Sequence, residues 1–227
     1  MTISIHQPNY LPWLGFFDKI KQSDIFVVFN NVQYPRGKNH FGNRNKIKIH
    51  NDSKWLTVPV SGKSEIKNIN EIGFKNSDWK DEHLRLIKVF YEKAPYFTEY
   101  FDEFSFELRK DFLNLSEQNI NLIRYFLSKL DIKTEIVLSS EIVDDSVFGA
   151  DRILTILDKL NATKYITGSG PGSVRYINQD DFKSRGIELV WQHYDHPVYS
   201  QLHGEFIPYM SILDLLFNEG PNSKNII

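Results

Sequence analysis

Four segments gather side chains able to do chemistry. The first is HQPNYLPW, where His6 is the candidate catalytic base or phosphate contact, because imidazole titrates near neutral pH. Pro8 and Pro12 stiffen this loop, so Gln7, Asn9, Tyr10 and Trp13 can be presented to a ligand at little ordering cost. The second is VQYPRGKNHFGNRNKIK, with Gln33, four cations (Arg36, Lys38, Arg44, Lys46) and the interleaved Asn39, Asn43 and Asn45. Arginine forks suit phosphate and carboxylate groups. The third is YITGSGPGSVRY, whose Gly168, Gly170 and Gly172 let backbone amides approach an anion, with Arg175 close behind. It is not a Walker motif, since no Gly-Lys-Ser/Thr follows, and GxGxG is not a dinucleotide fingerprint. The fourth, running from Tyr199 to Gly220, holds His203, Ser211 and Asp214. Ser211 reads as a helix cap, and a Ser–His–Asp site lacks a nucleophile elbow. Each segment also has a structural reading: a hydrogen-bonded core histidine, a solvated basic loop, a plain turn.

These residues must be positioned by a chain of 227 residues, long enough for one large domain with a sizeable core. A formal charge of -2 gives no global basic footprint for nucleic acid. Cysteine is absent, which excludes disulfides, thiolate nucleophiles and zinc–thiolate or Fe–S sites, and fits a reducing cytosol. No secretory leader or run of about 20 apolar residues is present, so a cytoplasmic protein without a transmembrane segment is expected. The metal signal is weak: His193 and His196 fall in an expected loop, and HExxH is missing. Aromatic residues reach 14%, enough for an aromatic core or an aromatic-lined cleft.

The positioning elements read as an α/β rhythm. Ile3–Ile5 is a strand, Leu14–Gln22 a helix, and Ile25–Phe29 a continuous apolar strand of the doubly covered kind. Lys46–Ile49 and Trp55–Val60 follow as strands. Residues from about 78 to 130 read as a helical insertion, with Asp78 capping its first helix and the second running Phe97–Leu113. The rhythm resumes with strands at Glu135, Lys164 and Ile187, a helix at Ala150–Leu160, and a last helix capped by Ser211. The expected fold is a Rossmann-like, mostly parallel sheet flanked by helices, in a single domain spanning 1–227. The carboxyl ends of its strands are where ligands bind.

The opening IHQPNYLPWLGFFDKI, the later VQY and NRNKIK, the WLTVP strand and the closing SILDLLFNEG, in this order, resemble the WbqC-like family. The matching positions are His6, Gln7, Asn9, Tyr10, Trp13, Gln33, Asn43, Arg44, Asn45, Ser211 and Asp214. The resemblance implies a bacterial protein associated with O-antigen, lipopolysaccharide and other surface-polysaccharide gene sets. Its substrate would be a nucleotide-linked or lipid-linked sugar. A fainter resemblance is to nucleotide-binding α/β enzymes of the pantothenate-synthetase and nucleotidylyltransferase type, whose HxGH pair this chain lacks.

The main expectation is a transferase moving an acyl or aminoacyl group to an amino group of a nucleotide sugar. His6 would act as base, Arg44 with Arg36 or Lys38 would hold the diphosphate, and Gln7, Asn9 and Asn43 would bind hydroxyls. Tyr10 or Trp13 would stack on a ring. No tightly bound cofactor is expected beyond the acyl or aminoacyl donor. The alternatives are an ATP-dependent ligase or nucleotidyltransferase using Mg-ATP on the glycine turn, and a non-catalytic sugar-binding or scaffold protein.

Overall fold

The computed structural model describes residues 1–35, 37, 40–62 and 65–227. Two compact units share the chain: Met1–Gln7, Asp18–Val32 and Lys133–Asp195 form the first, and Pro8–Phe17, Gln33–Ile132 and His196–Ile227 the second. The helices of the expected insertion belong to the second unit.

The first unit is an all-parallel, five-stranded sheet in the order β5-β2-β1-β6-β7. Its strands are β1 (Thr2–His6), β2 (Ile25–Val28), β5 (Glu135–Leu138), β6 (Lys164–Thr167) and β7 (Glu188–Trp191). The order makes the fold Rossmann-like: the chain builds outward from β1 to one side, then crosses back and builds to the other. Every residue of the IFVV strand β2 is buried, as an apolar run without alternation requires. Strand β1 alternates. Ile3 and Ile5 join a core with Ile153, Leu157 and Phe182, from helices α6 (Gly149–Lys159) and α8 (Gln179–Ser184). Ser4 instead accepts a hydrogen bond from Ser23, just past helix α1 (Leu14–Lys21). His6, two residues on, shares the Ser4 face.

The second unit holds an antiparallel hairpin of β3 (Arg44–Ile49) and β4 (Asp52–Thr57), pairing Arg44 with Thr57 and Lys46 with Trp55. Strand β4 starts earlier than the apolar pattern suggests and stops before Pro59. Around it lie α2 (Trp79–Tyr91), α3 (Phe97–Arg109), α4 (Leu115–Lys129) and α9 (Ile212–Glu219). Helix α3 packs on α4 and α9, and β3 on α2 and α9. Two expectations are corrected. Asp78 makes no side-chain capping bond and is itself helical. Helix α3 ends at Arg109, because Lys110 turns extended (φ -54°, ψ 141°). The next helix is capped by Asn114, whose side chain accepts from the Glu117 amide at 3.0 Å. Ser211 caps α9 as expected, accepting from the Leu213 amide at 3.3 Å.

Candidate functional site

In the first unit, the strand order reverses between β1 and β6, the position where α/β sheets bind ligands at their carboxyl edge. The parallel register pairs Ser4 with Ile166. His6 and Gly168 each lie two residues past that last pair, at the carboxyl ends of neighbouring strands. The His6 Nδ1 lies 2.8 Å from the Gln7 carbonyl. A carbonyl only accepts, so Nδ1 carries the hydrogen and Nε2 is the acceptor nitrogen. Burial and the neighbouring Lys19 charge lower the His6 pKa to about 3, against the backbone bond that raises it. The ring is therefore neutral at physiological pH. It is a hydrogen-bond acceptor of modest basicity, not an imidazole poised near pH 7.

Lys19 lies on α1, is 2% exposed, and has its pKa lowered by burial to about 7. No carboxylate among the described residues pairs with it. Side chains on a helix lean toward its amino end, which for α1 is the end nearer the β1 carboxyl terminus. That brings the amine toward His6, on the Ser4 face of the sheet. In sequence Lys19 does not stand out, because Leu14, Phe17 and Ile20 dominate the helical pattern. The available signal was the spacing of Phe16, Lys19 and Ser23 on one buried stripe.

Past β6, Gly168 is half-buried and Ser169 and Gly170 are exposed, and Gly172 falls within the short helix α7 (Pro171–Val174). Gly170 has φ -72° and open space around it, so neither backbone nor packing demands a glycine there. Arg175 is exposed, its guanidinium 4.6 Å from the Tyr176 ring centroid.

The β2 and β5 side of the same edge is closed by the protein's own groups. Asn31 donates to the Val143 carbonyl and to Asp145, and accepts from Ser139. Arg152 is buried, donates to the Asn31 and Val147 carbonyls, and pairs with Asp145 at 3.6 Å. This network of paired groups has a structural role. Of the adjacent Asp151 and Arg152, the arginine turns inward to Asp145, while Asp151 stays exposed.

In the second unit, Asn9 is buried and Tyr10 is fully so. The Tyr10 hydroxyl donates to His83 Nδ1 at 2.8 Å, while His83 bonds the Thr57 backbone and burial lowers its pKa to about 4. Tyr10 is thus a core residue and not an open stacking surface. Asn43 donates to the Val58 carbonyl at 2.7 Å, and Asn45 donates to the Leu11 carbonyl. Their amides hold backbone, as does Asn119, which bridges the Pro8 and Gly42 carbonyls at 3.0 and 2.7 Å. Gln33 is exposed and bridges to Asn68.

Arg44 stacks on Trp55, its guanidinium 4.1 Å from the ring centroid, with Lys46 at 5.2 Å and Phe41 packed against Trp55 at 5.9 Å. Neither Trp55, which opens the WLTVP motif, nor Phe41 is among the site residues the sequence points to, although Trp55 stands directly across from Lys46. Arg36, Lys38 and Asn39 lie outside the described residues.

Trp13 stacks on His196 with the planes 13° apart, and meets Tyr209 edge-on at 5.5 Å. A Cβ on Gly15 would come within 2.2 Å of the Trp13 ring. Gly15→Ala will therefore displace that ring and lower stability by about 1–3 kcal/mol, despite the better helix propensity of alanine. A urea melt followed by tryptophan fluorescence checks this, and an unchanged midpoint would refute it.

A Ser–His–Asp arrangement is not formed. Ser211 is spent as a cap, the His203 ring bonds the Phe90 carbonyl at 2.9 Å, and the Asp214 carboxylate is taken by Tyr91, Tyr199 and Gln201. Likewise, His193 pairs with Asp195 at 3.1 Å, and His196 bonds the Pro197 carbonyl.

The model of the WbqC-like protein family matches residues 7–226 of the chain. The chain is also similar to the uncharacterized protein Rv1507c of Mycobacterium tuberculosis. The two are 34% identical over 230 residues, covering 99% of this chain and 96% of the relative. No solved structure matches the chain.

Proposed function

The chain belongs to the WbqC-like protein family, and from that premise we propose that it is a transferase of bacterial surface-polysaccharide biosynthesis. It moves an acyl or aminoacyl group onto an amino group of a nucleotide-activated sugar. The observation that carries this reading is the reversal of strand order between β1 and β6, which places His6 and the Gly168–Gly170 turn at one carboxyl edge. The other half of that edge is filled by the Asn31–Ser139–Arg152 network, which directs a ligand to the His6 side. The O-antigen association follows from the family resemblance, and the donor class from the chemistry of an amine acceptor.

In this reaction the sugar amine attacks the donor carbonyl, a C–N bond forms, and the bond to the leaving group breaks. The proton released from nitrogen is accepted at His6 Nε2, the ring nitrogen that carries no hydrogen when Nδ1–H bonds the Gln7 carbonyl. The lowered pKa keeps that nitrogen unprotonated throughout the physiological range.

The test is turnover by the full chain with UDP- and dTDP-linked amino sugars and acyl-coenzyme A, with products read by mass spectrometry. His6→Ala should lower the rate roughly 10²–10⁴-fold while the nucleotide sugar still binds. Full turnover by His6→Ala would remove His6 from the chemistry. Consumption of Mg-ATP without acyl transfer would replace the transferase by a ligase or nucleotidyltransferase.

A further inference from the structure

Lys19 is a buried cation with no acidic partner among the described residues, on the face of the sheet that His6 occupies. Arg152 shows the contrast: also buried, it has Asp145 and two carbonyls to satisfy it. A buried ammionium without a counter-charge is costly, and an anion entering beside it recovers that cost. The neighbouring turn offers matching donors. The amides of Ser169 and Gly170 make no hydrogen bond to other described residues, and Gly170 is open although nothing in the fold requires a glycine. Successive amides of this kind favour negative charge.

We propose that Lys19 and the Gly168–Gly170 turn form an oxyanion site for a phosphate group of the substrate, at the β1–β6 edge beside His6. This rests on the reading of that edge as the place where the nucleotide-activated substrate binds, and it names the group that Lys19 meets there. Lys19 sits in the first unit, within the WLGFFDKI stretch, where no anion contact was expected from sequence.

The site has a second signature. Lys19 titrates near 7 without ligand, and a bound phosphate favours its charged form, so binding above that pH takes up a proton. The probe is inorganic pyrophosphate, titrated calorimetrically into the full chain at about pH 8, in two buffers of different ionisation enthalpy. The expected result is binding with proton uptake. Lys19→Met should weaken it about tenfold or more, as loss of a charge-assisted contact does, and abolish the uptake.

Folding is not at risk in that variant. An apolar side chain of similar length replaces a buried unpaired charge, so the urea midpoint should stay level or rise. Gly170→Val, placed in open space, should also weaken pyrophosphate. Binding by Lys19→Met within twofold of the parent, equal proton uptake in both, or no pyrophosphate binding at millimolar concentration would each overturn the site. A UDP-amino sugar that binds Lys19→Met undiminished overturns the oxyanion site but leaves the transferase reading standing. Failure of every nucleotide sugar to bind the parent chain overturns both.

Discussion

Asp214→Ala should lower the unfolding free energy by about 3–5 kcal/mol, the largest loss expected from a single side chain here. Asp214 is fully buried at the start of α9 and accepts from the Tyr91 hydroxyl at 2.7 Å, the Tyr199 hydroxyl at 2.8 Å and Gln201 Nε2 at 2.7 Å. Tyr91 in turn accepts from the Lys48 amide at 2.8 Å, and the Lys48 side chain reaches the Glu205 carbonyl at 2.6 Å. One carboxylate therefore ties α2, β3, α9 and the 199–205 segment of the second unit together. Alanine would take this acceptor from the buried Tyr91 and Tyr199 hydroxyls, while the half-buried Gln201 Nε2 would keep the Ile207 carbonyl. Burial raises the Asp214 pKa, with the three hydrogen bonds and Lys48 acting against that rise. Asp214→Asn keeps one acceptor oxygen but points an amide at a donor, so it should fall between parent and alanine. Urea melts at neutral pH test this, with the midpoint dropping and the slope unchanged. A loss below about 1 kcal/mol for alanine would show that the hub is not a unit.

The second large effect is acid lability beginning well above the carboxylate range. His6 and His83 have folded pKa values of about 3 and about 4, against 6.5 for an ordinary histidine. Below pH 6.5 the unfolded chain binds protons that the folded chain refuses, so stability falls as pH falls. The contribution is fully present above 6.5. It is lost down to about 4 for His83 and about 3 for His6. Each group contributes up to about 1.4 kcal/mol per pH unit inside its window, less where solvent reaches the ring. Urea midpoints measured from pH 7.5 down to 4.5 should show this slope. His83→Gln, which can still accept from Tyr10 and donate to the Thr57 backbone, should flatten it. An unchanged slope in that variant would place the acid sensitivity elsewhere.

The hydrophobic pattern alone determined much of the first unit. The apolar run Ile25–Val28, the stripe of Ile153, Leu154 and Leu157, and the strand before Gly168 are signals written within a dozen residues. Local sterics and burial suffice to interpret such signals. The parallel α/β class follows from them, as does the cap at Ser211. Family membership was legible too, because its motifs are short and occur in order along the chain.

Tertiary structure decided what lay between distant segments. The strand order β5-β2-β1-β6-β7 is set by crossovers that no local pattern records. It alone puts His6 and the glycine turn at the carboxyl ends of neighbouring strands. The fate of the polar residues was decided the same way. Asn43 and Asn45 look like ligand-binding amides in sequence, but their partners are carbonyls of Val58 and Leu11. Asp214 finds Tyr91 across 123 positions, and Tyr10 finds His83 across 73. Lys19 looks like a surface lysine on an amphipathic helix until the sheet covers it. A side chain's type states what it can do. Burial and partners, which depend on the whole fold, decide whether it is spent on the structure or left for a ligand.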